Sequence, residues 1–163
     1  MHSRTWRIGA AIWFSALLFL FCGVAQAQDV EGKWKLVTSK LPDGKMQMPP
    51  AILGAGTIYQ GQRVVALVWH TPDGKPASFS LISNYKLSGD TWTESLLFSV
   101  LDDGSGKVPV YNLNTETKSV PVTREGKRIA FKHPFEPVSS VIEGDKWTAT
   151  IEGGEVHYWE RVH

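Results

Sequence analysis

Residues 85–94 read Tyr-Lys-Leu-Ser-Gly-Asp-Thr-Trp-Thr-Glu, and this stretch predicts a β-hairpin. Apolar and polar residues alternate on both sides of Gly89-Asp90, as expected for two strands with one buried face. A Gly-Asp pair suits a two-residue turn, because the central residues of such turns need positive φ. Pairing outward from the turn places Leu87 opposite Trp92 and Tyr85 opposite Glu94, and predicts that the apolar face continues through Leu96, Phe98 and Val100.

The same pattern recurs along the chain around Gly61-Gln62, Glu125-Gly126 and Gly153-Gly154. No window of eleven or more residues carries a helical stripe of apolar residues. Around Glu125-Gly126 the predicted inner face holds Val120, Val122, Ile129 and Phe131. Around Gly153-Gly154 a two-residue turn places Trp147, Ala149, Ile151, Val156 and Tyr158 on the apolar face and leaves Trp159 and Arg161 on the polar one.

With an opening strand at Lys33–Ser39, the pattern predicts about eight to ten short antiparallel strands. Such strands must protect their edges from pairing with other chains, and closure into a barrel removes the edges altogether. A barrel of about eight strands has an interior that fits side chains or one small ligand. The sequence therefore predicts an all-β fold with a single up-and-down antiparallel barrel. A two-sheet sandwich is the alternative from the pattern alone.

Motifs at the two ends favour the barrel. Near its start the predicted domain contains Gly32-Lys33-Trp34-Lys35-Leu36-Val37, and near its end Tyr158-Trp159-Glu160-Arg161-Val162. These motifs resemble bacterial lipocalin-like domains of the calycin superfamily, which begin G-x-W-x-L-V and end W-x-R-V. The resemblance implies that Trp34 plugs the closed end of the barrel and that Arg161 packs across its indole. The predicted register places Arg161 on the polar face instead, so its position stays open.

The first residues have the features of an export signal. Arg4 and Arg7 precede an apolar run over Ile8–Val24, and Ala25-Gln26-Ala27 provides the small residues that a signal peptidase needs. We therefore expect a cleaved signal peptide at residues 1–27, one lipocalin-like domain at residues 28–163, and a periplasmic or secreted protein. The alternative is a membrane anchor, although the run of about 17 residues is short for a span of roughly 30 Å.

Composition excludes some partners. After removal of residues 1–27 the chain keeps 15 of its 17 basic residues and all 16 acidic ones, which gives a formal charge of −1. This balance argues against nucleic acid and against an anionic membrane surface, since both require clustered positive charge. The single cysteine, Cys22, lies in the signal segment, so the domain has no disulfides. The sequence does not indicate an oligomeric state.

Glu94 is the most informative candidate for a site. It lies on the apolar face between Trp92 and Leu96, where a carboxylate is costly unless it is hydrogen-bonded. Tyr85, directly opposite, could supply that bond, and desolvation would raise the pKa of Glu94 above its ordinary value of about 4.3. The alternative is that Glu94 reaches water near the strand end. The predicted ligand-binding residues are Glu94, Tyr85, Trp92, Trp147 and Tyr158.

No motif predicts a metal, a cofactor or a catalytic group. The four histidines after residue 27 lack metal-ligand spacing, and no nucleophile has an adjacent base. The resemblance to lipocalin-like barrels implies that the Met- and Pro-rich segment Leu41–Gly56 folds over the open end as a lid, and the alternative is a loop that only covers the core. Three hypotheses remain: a barrel that binds a small, largely apolar ligand, a packed structural or interaction protein without one, and a lipocalin-like enzyme that uses a cavity carboxylate.

Overall fold

The alternating pattern produces strands throughout the computed structural model, which describes residues 29–113 and 115–163. The predicted signal peptide at residues 1–27 lies outside the described residues. No helix in the described ranges is long and apolar enough to cross a bilayer. The twelve strands of these ranges are β1 Gly32–Lys40, β2 Met46–Gln47, β3 Ile52–Tyr59, β4 Gln62–His70, β5 Pro76–Ser88, β6 Thr91–Asp102, β7 Val110–Asn112, β8 Thr117–Glu125, β9 Arg128–Lys132, β10 Val138–Glu143, β11 Lys146–Ile151 and β12 Val156–Val162.

Ten of these strands form one closed antiparallel barrel. The order runs β1-β3-β4-β5-β6-β8-β9-β10-β11-β12, and β12 pairs with β1 to close the ring. The short strands β2 and β7 pair with β1 and β6 respectively, outside the ring. Closure leaves none of the ten ring strands at an edge, which explains how so many short strands are stable in one domain. The predicted single up-and-down barrel is confirmed.

Tight turns fix the pairing at one end of the barrel. The β5–β6 hairpin turns at Gly89-Asp90 and pairs Leu87 with Trp92 and Tyr85 with Glu94, as predicted. The β8–β9 hairpin turns one residue later than predicted, after Glu125, yet Val122, Ile129 and Phe131 are buried together. These turns and that of β10–β11 set the closed end, where the large apolar side chains pack.

A β-bulge changes the inner face of β6. Ile82 pairs with Phe98 and Ser83 pairs with Leu96, so Leu97 is an extra residue on β6. The extra residue reverses which side chains point inward beyond it. The prediction that Phe98 and Val100 continue the inner face is therefore wrong, and Ser99 and Leu101 face the interior instead.

The predicted register of β11 and β12 is also wrong. Trp147 pairs with Trp159 and Thr150 pairs with Val156, which leaves a three-residue loop, 152–154, closed by the Ile151 N–H donating to the Glu155 carbonyl at 2.8 Å. A loop longer by one residue moves every side chain of the second strand to the opposite face. Trp159 and His157 are therefore buried inside the barrel, and Tyr158 lies on the outer face.

Trp34 and Arg161 close the base of the barrel. Trp34 is buried, and it pairs directly with Arg161 across β1 and β12. The guanidinium carbon of Arg161 lies 4.3 Å from the centre of the Trp34 ring, a cation–π geometry. Gly32 permits this approach, since a Cβ there would lie 2.5 Å from Arg161 Nη1. The family resemblance implied that Trp34 plugs the closed end and that Arg161 packs across its indole, and both positions are confirmed.

Candidate functional site

The opposite end of the barrel encloses a cavity of about 480 Å³. Alternate residues of β4 form one wall, namely Val65, Leu67 and Trp69, because Arg63 and every second residue after it point inward. The facing wall is aromatic, and Trp147 and Trp159 stack there with ring centres 4.9 Å apart. Further lining comes from Leu41, Gln47 and Ile52, the β4–β5 turn, and Phe135, Glu136 and Pro137 between β9 and β10.

An ion-paired cluster separates the cavity from the core below it. Arg63 Nη1 donates to Glu94 Oε1 at 2.9 Å and to Glu136 Oε1 at 2.6 Å, while Nη2 donates to Glu136 Oε2 at 3.2 Å. Burial alone would lower the pKa of Arg63, but the carboxylates of Glu136 and Glu94 raise it above its ordinary value. Arg63 is therefore a fixed positive charge held between two carboxylates.

Glu94 is buried and accepts three hydrogen bonds. Its Oε1 accepts from Arg63 and from the Ser83 hydroxyl, and its Oε2 accepts from Trp92 Nε1 at 2.9 Å. Burial alone would raise the pKa of Glu94, but Arg63, the neighbouring His133 and the Ser83 hydrogen bond together hold it below its ordinary value. The prediction that burial raises the pKa of Glu94 is therefore wrong. The sequence pattern did not indicate that an arginine lies beside this carboxylate.

His133 extends the cluster. Its Nε2 lies 2.8 Å from Ser140 Oγ, and that oxygen accepts from Trp147 Nε1 at 2.8 Å. The Ser140 proton is then free to point at Nε2, which places the proton of a neutral His133 on Nδ1, 3.7 Å from Glu94 Oε2. Complete burial and the charge of Arg63 lower the pKa of His133. The imidazole is thus neutral and supports Trp147, a cavity wall residue.

Glu94, His133 and Glu136 also have the composition of a metal site, with one ligand atom from each within 4.8 Å of the others. Carboxylate and imidazole are suitable ligands for several divalent metals. However, Arg63 Nη1 already donates to both carboxylates, so the guanidinium occupies the cationic position of the cluster. A divalent ion would have to displace it, and we assign no metal here.

A second polar group lies near the mouth of the cavity. Glu155 Oε1 accepts from Ser39 Oγ at 2.8 Å and lies 3.0 Å from His157 Nε2. The hydrogen bond with His157 lowers the pKa of Glu155 more than partial burial raises it, and the Ser39 bond lowers it further. Glu155 is therefore a charged carboxylate on the lining of the cavity.

The five predicted ligand-binding residues have different positions. Only Trp147 lines the cavity, whereas Glu94 and Trp92 are buried beneath it. Tyr85 stacks on Trp92 with ring centres 4.7 Å apart, and its hydroxyl donates to Glu31 at 2.9 Å instead of to Glu94. Tyr158 is on the outer face, where Trp159 was expected.

Arg63, Glu136 and His133 were not among the predicted site residues. The alternation Arg63, Val65, Leu67, Trp69 carries a usable signal, because it places an arginine on the same inner face as three apolar residues. Glu136 lies in a loop between β9 and β10, where no periodicity indicates direction. The inward position of the Glu136 side chain is evident only in the folded structure.

Comparisons with known proteins identify no family for this chain. No protein-family model matches the sequence, and no curated protein matches it. The chain is similar to the crystal structure of a lipocalin-like protein from Bacteroides uniformis, with 15% identity and a TM-score of 0.36 over 82% of this chain and 99% of that one. Similarity at this level carries no functional argument. The lipocalin-like assignment rests on this chain's own closed meander and its Trp34–Arg161 base.

Proposed function

We propose that this protein binds a small, largely apolar molecule inside its barrel. The observation that carries the proposal is the cavity of about 480 Å³, lined mostly by aliphatic and aromatic side chains with a few polar groups. Ligand pockets commonly measure about 300–1,000 Å³ and have this kind of lining.

Two alternatives have less support. A barrel without a ligand would be expected to fill its interior, yet a cavity of about 480 Å³ remains beside the core around Trp34, Trp92 and Ile129. An enzyme that used Glu94 would need the carboxylate to reach its substrate, but the Glu94 side chain has no exposed surface and accepts hydrogen bonds from Arg63, Ser83 and Trp92. Among the described residues, the cavity therefore favours binding over both.

Binding can be tested with N-phenyl-1-naphthylamine, an uncharged probe whose fluorescence rises in apolar surroundings. Leu67→Trp would extend an indole into the cavity, and we expect it to weaken probe binding at least about tenfold, because a filled pocket excludes the probe. The matched control is Val68→Trp, one residue along on the outer face of the same strand, which should bind like the wild type. No fluorescence change with the wild type, or equal loss in both variants, would contradict the proposal.

We further propose that the protein is exported and acts in the periplasm or outside the cell. Support comes from the basic, apolar and small-residue sections of residues 1–27. Protein recovered from the cell envelope should begin at Gln28. An N-terminus at Met1 in the membrane fraction would restore the anchor alternative.

A further inference from the structure

We propose that the ligand is a cationic amphiphile, an apolar body that carries an ammonium group. This inference rests on the proposed function and specifies the chemistry of the ligand at the same cavity. Three features of the lining support it: which charged groups are accessible, the sum of their charges, and the aromatic walls.

Accessibility distinguishes acidic groups from basic ones. Arg63 is the only lysine or arginine among the described residues that line the cavity, and its side chain is 1% exposed because Glu94 and Glu136 cover it. Glu136, which lies over Arg63, is 11% exposed, and Glu155 is 32% exposed. A ligand head group that enters the cavity therefore meets carboxylates before it meets the guanidinium.

The charges do not balance. Arg63 contributes one positive charge, while Glu94, Glu136 and Glu155 contribute three negative ones. These four groups together carry a formal charge of −2. Charge in a region of low dielectric constant is costly unless it is paired. A bound cation would supply the missing partner, whereas a bound anion would have to displace Glu136 from Arg63 and move it to solvent.

The walls suit the same ligand. Trp69, Trp147, Trp159, Phe79 and Phe135 all line the cavity. The face of an aromatic ring attracts a cation within about 6 Å of its centre, and tryptophan does so most strongly. Aromatic walls combined with exposed carboxylates bind an alkylammonium through both its chain and its charge. The same walls accept an uncharged chain, but without electrostatic preference.

Three ligands of one chain length test the inference, namely decylammonium, decanol and decanoate. Each is titrated against bound N-phenyl-1-naphthylamine at about pH 8, where an alkylamine is protonated. We expect decylammonium to displace the probe at a concentration about tenfold lower than decanol. Decanoate should be the weakest of the three.

Two variants that each remove one negative charge test which carboxylate causes the preference for a cationic ligand. Glu155→Gln should reduce the advantage of decylammonium over decanol by about threefold or more, because one carboxylate of the lining is lost. Glu152→Gln removes the same charge from the exposed loop outside the cavity and should leave the ratio unchanged. Glu136→Gln provides a second test at the floor, and it should also lower the ratio.

The outcomes separate the two proposals. If the probe binds but decanol and decylammonium compete equally, the cationic preference is wrong and the apolar binding site remains. If decanoate competes best, Arg63 has exchanged Glu136 for the ligand, and the inference is overturned. If neither the probe nor any of the three ligands binds, the proposed function fails and this inference fails with it.

Discussion

At the scale of single residues, Glu94 shows how a neighbour decides the state of a buried group. Burial favours the neutral acid, but Arg63 at 2.9 Å and the donors of Ser83 and Trp92 favour the carboxylate more strongly. A buried ion pair is costly to break, because the remaining charge has no solvent to replace its partner. Glu94 therefore stabilises the fold by compensating Arg63.

Glu94→Gln should accordingly destabilise the protein by about 3 kcal/mol at pH 7. Since the folded pKa of Glu94 lies below its ordinary value, its contribution is complete above that value and is lost as the pH falls below it. The difference between wild type and variant should therefore shrink on acidification. Chemical denaturation from pH 7 to pH 3 measures it, with Glu152→Gln as an exposed control. A variant as stable as the wild type at pH 7 would show that the pair contributes nothing.

At the scale of secondary structure elements, the sequence was most informative at the β5–β6 hairpin. Gly89-Asp90 fixed Tyr85 opposite Glu94, because a period-two pattern and a known turn length determine the register together. The sequence was least informative where a strand or a loop contains one extra residue that the amino-acid composition does not indicate. The two cases are Leu97 in β6 and the three-residue loop 152–154. One added residue reverses the face of a strand, so Tyr158 was predicted to bind a ligand and Trp159 was not.

The register of β12 can be tested by comparing these neighbours. Trp159→Ala removes a buried ring that stacks on Trp147 and should cost about 3–5 kcal/mol. Tyr158→Ala removes an outward side chain that is 37% exposed and should cost less than about 1 kcal/mol. Thermal or urea unfolding of the two variants provides the comparison. Equal losses, or a larger loss for Tyr158→Ala, would support the register with a two-residue turn.

At the scale of the whole molecule, the barrel has two unlike halves. The closed half holds the packed core, in which Trp34, Trp92, Ile58, Ile129 and Ile142 are almost without exposed surface. The other half surrounds the cavity, and its loops contribute much of the lining. The same ten strands run through both halves, so the strand pairing is shared while the packing is not. A binding site at one end therefore leaves the core at the other end intact.

This division predicts an uneven pattern of amide hydrogen exchange. Local opening is easiest where few apolar contacts hold the backbone, so amides of β4 near Trp69 and His70 should exchange faster than those near Arg63 and Val64. The two ends of one strand serve as test and control, since both pair with β3 and β5. Saturating decylammonium should slow exchange at the cavity end and leave the core end unchanged, because a ligand that binds only the folded state stabilises the segments it contacts. Mass spectrometry of peptides from each end measures the difference. Uniform exchange along β4 in the free protein would mean that the cavity does not weaken its half of the barrel.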